Sequence, residues 1–207
     1  MNKKLIIFDF DGVLANTLDL AFVLQKKYNP TLTKDFFHSL SDGNFHENYK
    51  KAMSEGKIND IPEWEEEYSK VLLELNSEEM IQKLVVDLDK KYMLAVVSST
   101  MSFHIEKFLT REKIEHCFVD ILGADVHTSK VVKIKKLLEK YSIRADEAVF
   151  VTDTLGDIKE GNECGVRSIG VTWGAHNQSI LEQGKPFAIV DTVLELEKSI
   201  SEFFNSK

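Results

Sequence analysis

Arginine is nearly missing from this chain. Arg111, Arg144 and Arg167 are the only three in 207 residues, and none lies between positions 16 and 79. Basic residues number 26 against 34 acidic ones, for a formal net charge of −8. A surface of that sign repels phosphate backbones and anionic headgroups, which argues against nucleic acid and anionic membranes as partners. Cysteine is limited to Cys117 and Cys164, without metal-ligand spacing. That excludes a disulfide framework and points to a reducing compartment. No apolar run approaches the length of a membrane span. Met1-Asn2-Lys3-Lys4 precedes only a short apolar stretch, broken by Asp9 and Asp11, which does not read as a signal peptide. No repeat or low-complexity tract is present. The expectation is a soluble, cytoplasmic protein; oligomeric state is not legible.

What is present is ordinary globular composition, 43% hydrophobic and 29% charged, enough for one good core and an inserted subdomain. Apolar, β-rich runs recur at Leu5–Phe8, Met93–Val97, Phe118–Leu122, Ala148–Val151, Ser168–Thr172 and Phe187–Val190. Helical patterns separate most of them from Ser98 onward, at Phe103–Leu109, Val131–Tyr141 and Ile158–Cys164, with an amphipathic Val193–Phe204 at the end. Strands alternating with helices predict an α/β fold, a doubly wound parallel sheet. The interval Asn16–Glu79 differs. It holds helix-like stretches at Leu18–Tyr28, Lys34–Leu40, Phe45–Glu55 and Glu63–Leu75 and no convincing strand. A crossover needs only about a dozen residues. We therefore expect a core of residues 1–15 and 80–207 with a helical cap inserted at 16–79. The insert has 13 acidic residues and 7 lysines, so it carries −6 of the net charge. Glu63, Glu65, Glu66 and Glu67 read as a solvated helix face.

Four short motifs fall at or just beyond the ends of successive strands. Asp9 and Asp11 follow Leu5-Ile6-Ile7-Phe8, and Gly12 allows a sharp exit. Two like charges so close are costly to bury unless a cation lies between them, and oxygen ligands suit Mg²⁺. A carboxylate can also serve as a nucleophile, with its neighbour moving protons. Ser98-Ser99 closes the next strand, where a hydroxyl and a free N–H can cradle a phosphate or simply cap a helix. Lys130 opens a helix, where a cation is electrostatically misplaced unless drawn inward to an anion. Asp153 ends a later strand and can complete a metal site, with Asp157 bracing it four residues on.

The order Asp9-x-Asp11-Gly12-Val13, Ser98, Lys130, Asp153-x-x-x-Asp157 resembles the haloacid dehalogenase superfamily of phosphotransferases. Cys164-Gly165-Val166 and Gly170-Val171-Thr172-Trp173-Gly174 resemble its phosphoglycolate-phosphatase-like members. The resemblance covers the core, about two thirds of the chain, and the family's helical cap sits where the insert does. It implies Asp9 as nucleophile and Mg²⁺ ligand, and Asp11 as general acid/base with its carbonyl on the metal. It implies Ser98 and the Ser99 N–H as phosphoryl holders, and Lys130 as the neutralising cation. Asp153 would ligate Mg²⁺, and Asp157 would do so directly or through water. Two departures stand out: Thr152 occupies a usual glycine position, and Lys130 is followed by Val131-Val132 instead of Pro-x-Pro.

The implied activity is Mg²⁺-dependent hydrolysis of a small phosphorylated metabolite through an aspartyl-phosphate. Asp11 argues against dehalogenation, and an insert without arginine argues against a sugar phosphomutase, which remains an alternative. A phospho-receiver domain would carry its acceptor acid after the third strand, not the first. A catalytically silent phospho-ligand binder is the remaining rival. In the insert, Asn44 and His46 lie on the turn Asp42-Gly43-Asn44-Phe45-His46 and are the candidate substrate-specificity residues. His127 and His176 read as structural, and Phe36, Phe37, Trp64 and Tyr68 as helix core.

Overall fold

The apolar runs pair side by side. In a computed structural model describing residues 4–75 and 77–205, six strands form one sheet: β1 (Leu5–Phe8), β2 (Met93–Val97), β3 (Phe118–Leu122), β4 (Ala148–Thr152), β5 (Arg167–Val171) and β6 (Ala188–Val190). Met1–Lys3 of the amino-terminal reading lie outside the described residues. All neighbouring pairs are parallel, in the order β3-β2-β1-β4-β5-β6. Strand β1 is central, with Leu5 opposite both Met93 and Ala148. Its four side chains are buried because alternate residues feed two separate cores. Ile6 and Phe8 join the larger cluster, with Leu84, Ile105 and Ile200, while Leu5 and Ile7 pack with Ile134 and Leu137.

The helices behind these contacts are α5 (Glu79–Asp89), α6 (Ser102–Arg111) and α10 (Val193–Asn205) on one face and α7 (Lys130–Tyr141) on the other. Helix α8 (Leu155–Glu163) follows β4, and a short α9 (Gln178–Leu181) follows β5. The sequence reading assigned neither α5 nor α9. Ile81, Leu84, Val85 and Leu88 of α5 nevertheless show the helical spacing of a one-sided core contact. The strand order reverses between β1 and β4, so a crevice opens at their carboxyl ends, where doubly wound folds bind ligands.

Four helices join β1 to α5: α1 (Leu18–Tyr28), α2 (Lys34–Ser39), α3 (Phe45–Ser54) and α4 (Trp64–Glu74). Helices α2 and α3 start on side-chain caps, Thr33 accepting from the Phe36 N–H and Asn44 from the Glu47 N–H. Leu32, Phe37, Leu40, Ala52 and Ile58 form a small core of their own. Leu24 of α1 and Tyr68 and Leu72 of α4 belong instead to the main core cluster. The helical segment is thus anchored to the sheet by its first and last helices, and its middle two stand over the strand ends.

Candidate active site

The central strand runs straight into the site. The Asp9 N–H donates to the Val151 carbonyl at 2.9 Å, so Asp9 extends the β1–β4 ladder by one residue. Phe10 is buried edge-on against Phe108, ring centroids 5.3 Å apart, which locks the backbone between the two acids. Asp9 is buried, and its Oδ1 accepts from the Phe10 N–H at 2.7 Å. Its Oδ2 lies 2.8 Å from Lys130 Nζ, which also lies 2.5 Å from Asp157 Oδ2. Thr152 Oγ1 donates to the same Asp157 oxygen at 2.7 Å. The Thr152 hydroxyl therefore has a use here that glycine could not supply.

Electrostatics are tense around this lysine. Burial would lower the Lys130 pKa, but Asp157 and Asp9 outweigh it and hold the ammonium charged. Burial would also raise Asp157, and Lys130 with its hydrogen-bonded neighbours keeps it below the usual carboxylate range. Asp9 is left the loser: burial pushes it well above that range, against the pull of Lys130. Asp153, at the end of β4, is fully buried and pushed up to about 7, chiefly by burial. Its Oδ2 accepts from the Ala175 N–H at 2.7 Å, and its Oδ1 has no partner among the described residues.

Asp11 is held differently. Its Oδ1 accepts from Thr17 Oγ1 at 2.6 Å and from Tyr68 OH at 2.5 Å. Its Oδ2 accepts from Thr100 Oγ1 at 2.7 Å and Ser98 Oγ at 3.3 Å. Three elements thus converge on one carboxylate: the approach to α1, helix α4 and the end of β2. All of these acids border a cavity of about 390 Å³ between the strand ends and the helical segment. Ser99 and Thr100 line it, whereas the buried Ser98 turns its hydroxyl to Asp11 and the Thr100 N–H.

Comparison with known proteins agrees with this geometry. Residues 6–171 match the family described as haloacid dehalogenase-like hydrolase. The chain belongs to that family. A phosphoglycolate phosphatase of Vibrio parahaemolyticus is 29% identical over 108 residues, 51% of this chain and 47% of that enzyme. The chain thus spans about half the length of that relative. The pyrophosphatase PpaX of Bacillus mycoides is 24% identical over 208 residues, covering 95% of this chain and 96% of the relative. Among solved structures, a haloacid dehalogenase-like hydrolase from Streptococcus pneumoniae superposes with a TM-score of 0.79 at 20% identity, covering 96% and 98% of the two chains. A hydrolase from Pseudomonas syringae gives 0.80 at 16% identity, covering 97% and 99%. These likenesses are of fold.

The donor set of this haloacid dehalogenase-like hydrolase fits a divalent cation. Two buried carboxylates, Asp9 and Asp153, are raised chiefly by burial, and among the described residues Asp153 Oδ1 is a buried oxygen without a partner. Two glycines let the backbone pack close against the Asp153 carboxylate. A Cβ on Gly12, whose φ is 74°, would lie 2.1 Å from Asp153 Oδ2, and one on Gly174 would lie 2.2 Å away. Among the described residues, no three His, Cys, Asp or Glu side chains form a ready-made cage. Mg²⁺ usually takes one or two carboxylates and fills its remaining positions with water and substrate oxygens.

The remaining sequence candidates divide. His46 lines the cavity of this hydrolase. Asn44 does not; besides capping α3 it donates to the Thr128 carbonyl and to Glu160 Oε1, both at 3.2 Å, across to the core. Asp157 spends one oxygen on Lys130 and Thr152. Trp64 and Tyr68, read as helix core, stack at 5.4 Å and line the cavity. Glu65, read as solvated, bonds His104 Nε2 at 2.6 Å and lines it too. His176 is structural in its contacts, accepting from the Leu155 N–H at 3.0 Å. Sequence reasoning missed Thr17, Thr100 and His104, which carry no motif of their own. Lys133, one turn after Lys130, carries no motif either. Lys133 is fully buried, with its ammonium donating to the Ser98 and Gly123 carbonyls beneath the β2 loop.

Proposed function

We propose that this protein is a Mg²⁺-dependent phosphatase that hydrolyses a small phosphomonoester through an aspartyl-phosphate on Asp9. One observation carries the reading: a buried Asp9 paired with Lys130 at the end of the central strand, with Asp11 two residues on and open to the same cavity. The phosphoglycolate phosphatase and pyrophosphatase relatives support phosphoryl chemistry. The two free thiols, Cys117 and Cys164, suit a reducing cytoplasm.

An Asp9 carboxylate oxygen attacks phosphorus, and the bond from phosphorus to the ester oxygen breaks. Asp11, carrying a proton for this step, delivers it to the departing oxygen. One of its hydroxyl donors must turn away while it holds that proton, and Thr17, Thr100 and Ser98 can each do so by rotation. Asp11 then takes a proton from water as the water oxygen attacks phosphorus. The phosphorus–Asp9 bond breaks, releasing inorganic phosphate and restoring both acids. Lys130 holds Asp9 in line and offsets charge on the transferring group, with Asp157 and Thr152 fixing the lysine in turn. The Ser99 N–H at the end of β2 completes the phosphoryl cradle, and Ser98 orders that loop. Mg²⁺, held by Asp9, Asp153 and the Asp11 carbonyl, would draw off phosphoryl charge.

The test is release of phosphate from benzyl phosphate in Mg²⁺. Asp9→Asn should abolish both turnover and the phosphoryl-enzyme seen by mass spectrometry. Asp11→Asn should lose roughly 10²–10⁴-fold, the usual share of proton transfer. Wild-type turnover in Asp9→Asn would sink the covalent route.

A further inference from the structure

The cavity has two unlike ends. The strand-end side carries Asp9, Asp11, Asp153, Asp157 and Lys130. The opposite side comes from the helical segment and is largely apolar, with Phe37, Phe45, Tyr49, Ile61, Trp64 and Tyr68. Trp64 and Tyr68 stack nearly parallel, 17° apart, as one aromatic wall. Among the described residues, Lys130 is the only lysine or arginine in the lining, and both its neighbours are acids already bonded to it. The other charged groups on the helical side are acidic, Asp60 and Glu65.

A leaving group enters this apolar end once the phosphoryl group is seated against Asp9. A carboxylate or second phosphate there would lose its water and meet aromatic carbon and like charge, with no cation to receive it. An uncharged apolar body would instead bury its surface against the aromatic wall. His38 and His46 are polar handles on that side. Among the described residues, the Nε2 of each is buried without a hydrogen-bond partner. Burial, with Lys133 and Lys130 nearby, lowers the pKa of His46, against a contact with the Ser99 backbone. A neutral imidazole suits a hydroxyl or ester oxygen better than an anion.

Building on the phosphatase reading above, we propose that the substrate is the monophosphate of an uncharged alcohol with an apolar or aromatic body. Phosphoglycolate, with its carboxylate, and pyrophosphate, with its second phosphate, are then poor substrates, whatever the relatives turn over.

Wild-type enzyme in Mg²⁺ tests this with matched esters, benzyl phosphate and 4-carboxybenzyl phosphate, alongside methyl phosphate, phosphoglycolate and pyrophosphate. The carboxylate of the matched pair sits far from the reacting bond, so it reports on the cavity and not on leaving-group chemistry. The expected result is a kcat/KM for benzyl phosphate at least tenfold above the carboxybenzyl ester, with the difference mainly in KM. It should also exceed that of methyl phosphate, phosphoglycolate and pyrophosphate. Trp64→Ala should shrink the benzyl-to-methyl ratio severalfold. Equal or faster turnover of the carboxybenzyl ester, phosphoglycolate or pyrophosphate overturns the proposal while leaving the phosphatase standing. If no ester releases phosphate, or Asp9→Asn releases it as fast as wild type, the phosphatase reading fails and this proposal fails with it.

Discussion

Lys133 shows what burial does to a single residue. It sits one turn after Lys130 on α7, yet its side chain is fully enclosed and its ammonium meets only carbonyl oxygens. Burial, with Lys130 nearby, lowers its pKa to about 8. The unfolded chain keeps that proton to about pH 10.4. Between those values the unfolded state holds more protons, so stability rises with pH. Relative to Lys133→Met, wild type should gain up to about 1.4 kcal/mol per pH unit across that window. Urea unfolding of both proteins at pH 8, 9 and 10 checks this, and a constant difference would mean that folded Lys133 keeps its proton across this range just as the unfolded chain does. Asp9, Asp11, Asp153 and Lys130 could be read from sequence because each follows or opens a strongly patterned element. Thr17, Thr100 and Tyr68 could not, since a hydroxyl's partner is set by tertiary approach alone.

At the scale of elements, α3 and its cap join the helical segment to the core. Asn44 closes the first turn of α3 and bridges to Thr128 and Glu160. Its sequence position suggested a substrate contact, whereas its bonds are those of a docking residue. Asn44→Ala should cost about 1 kcal/mol of stability, the usual loss for an N-cap. Turnover of different esters should change by a common factor. His46→Ala, two residues on and inside the cavity, should instead change kcat/KM unequally between benzyl and methyl phosphate. The same steady-state panel separates the two, and a selective effect from Asn44→Ala would return that residue to the cavity. Helix periodicity made α1 to α4 legible within a few residues. The sharing of Leu24, Tyr68 and Leu72 with the sheet was not legible, because an apolar helical face does not say which neighbour it meets.

Across the whole molecule, three buried acids surround one buried lysine, an imbalance that a divalent cation would relieve. Mg²⁺ binding only the folded state should stabilise it by about 2.7 kcal/mol at a hundred times Kd, and so raise the melting temperature in a concentration-dependent way. Asp153→Asn should lose most of that shift, and Ca²⁺ should support turnover poorly because it prefers more ligands and looser geometry. Differential scanning fluorimetry with chelator, Mg²⁺ and Ca²⁺ reads the first effect. An unchanged Mg²⁺ shift in Asp153→Asn would place the ion elsewhere. Among the described residues no helix is long and apolar enough to cross a membrane.

Local chemistry was enough to set the strand runs, their alternation with helices and the acids at strand ends, because periodicity and charge placement act over a few neighbouring residues. Family membership followed from the order of those motifs. Only the tertiary structure decided how their charges are shared. It paired Lys130 with both Asp9 and Asp157, turned Ser98 toward Asp11, buried Lys133 and brought Tyr68 from α4 onto Asp11. Each of these joins residues dozens of positions apart, and hydrogen bonding and desolvation depend on distance in space, which no local pattern records.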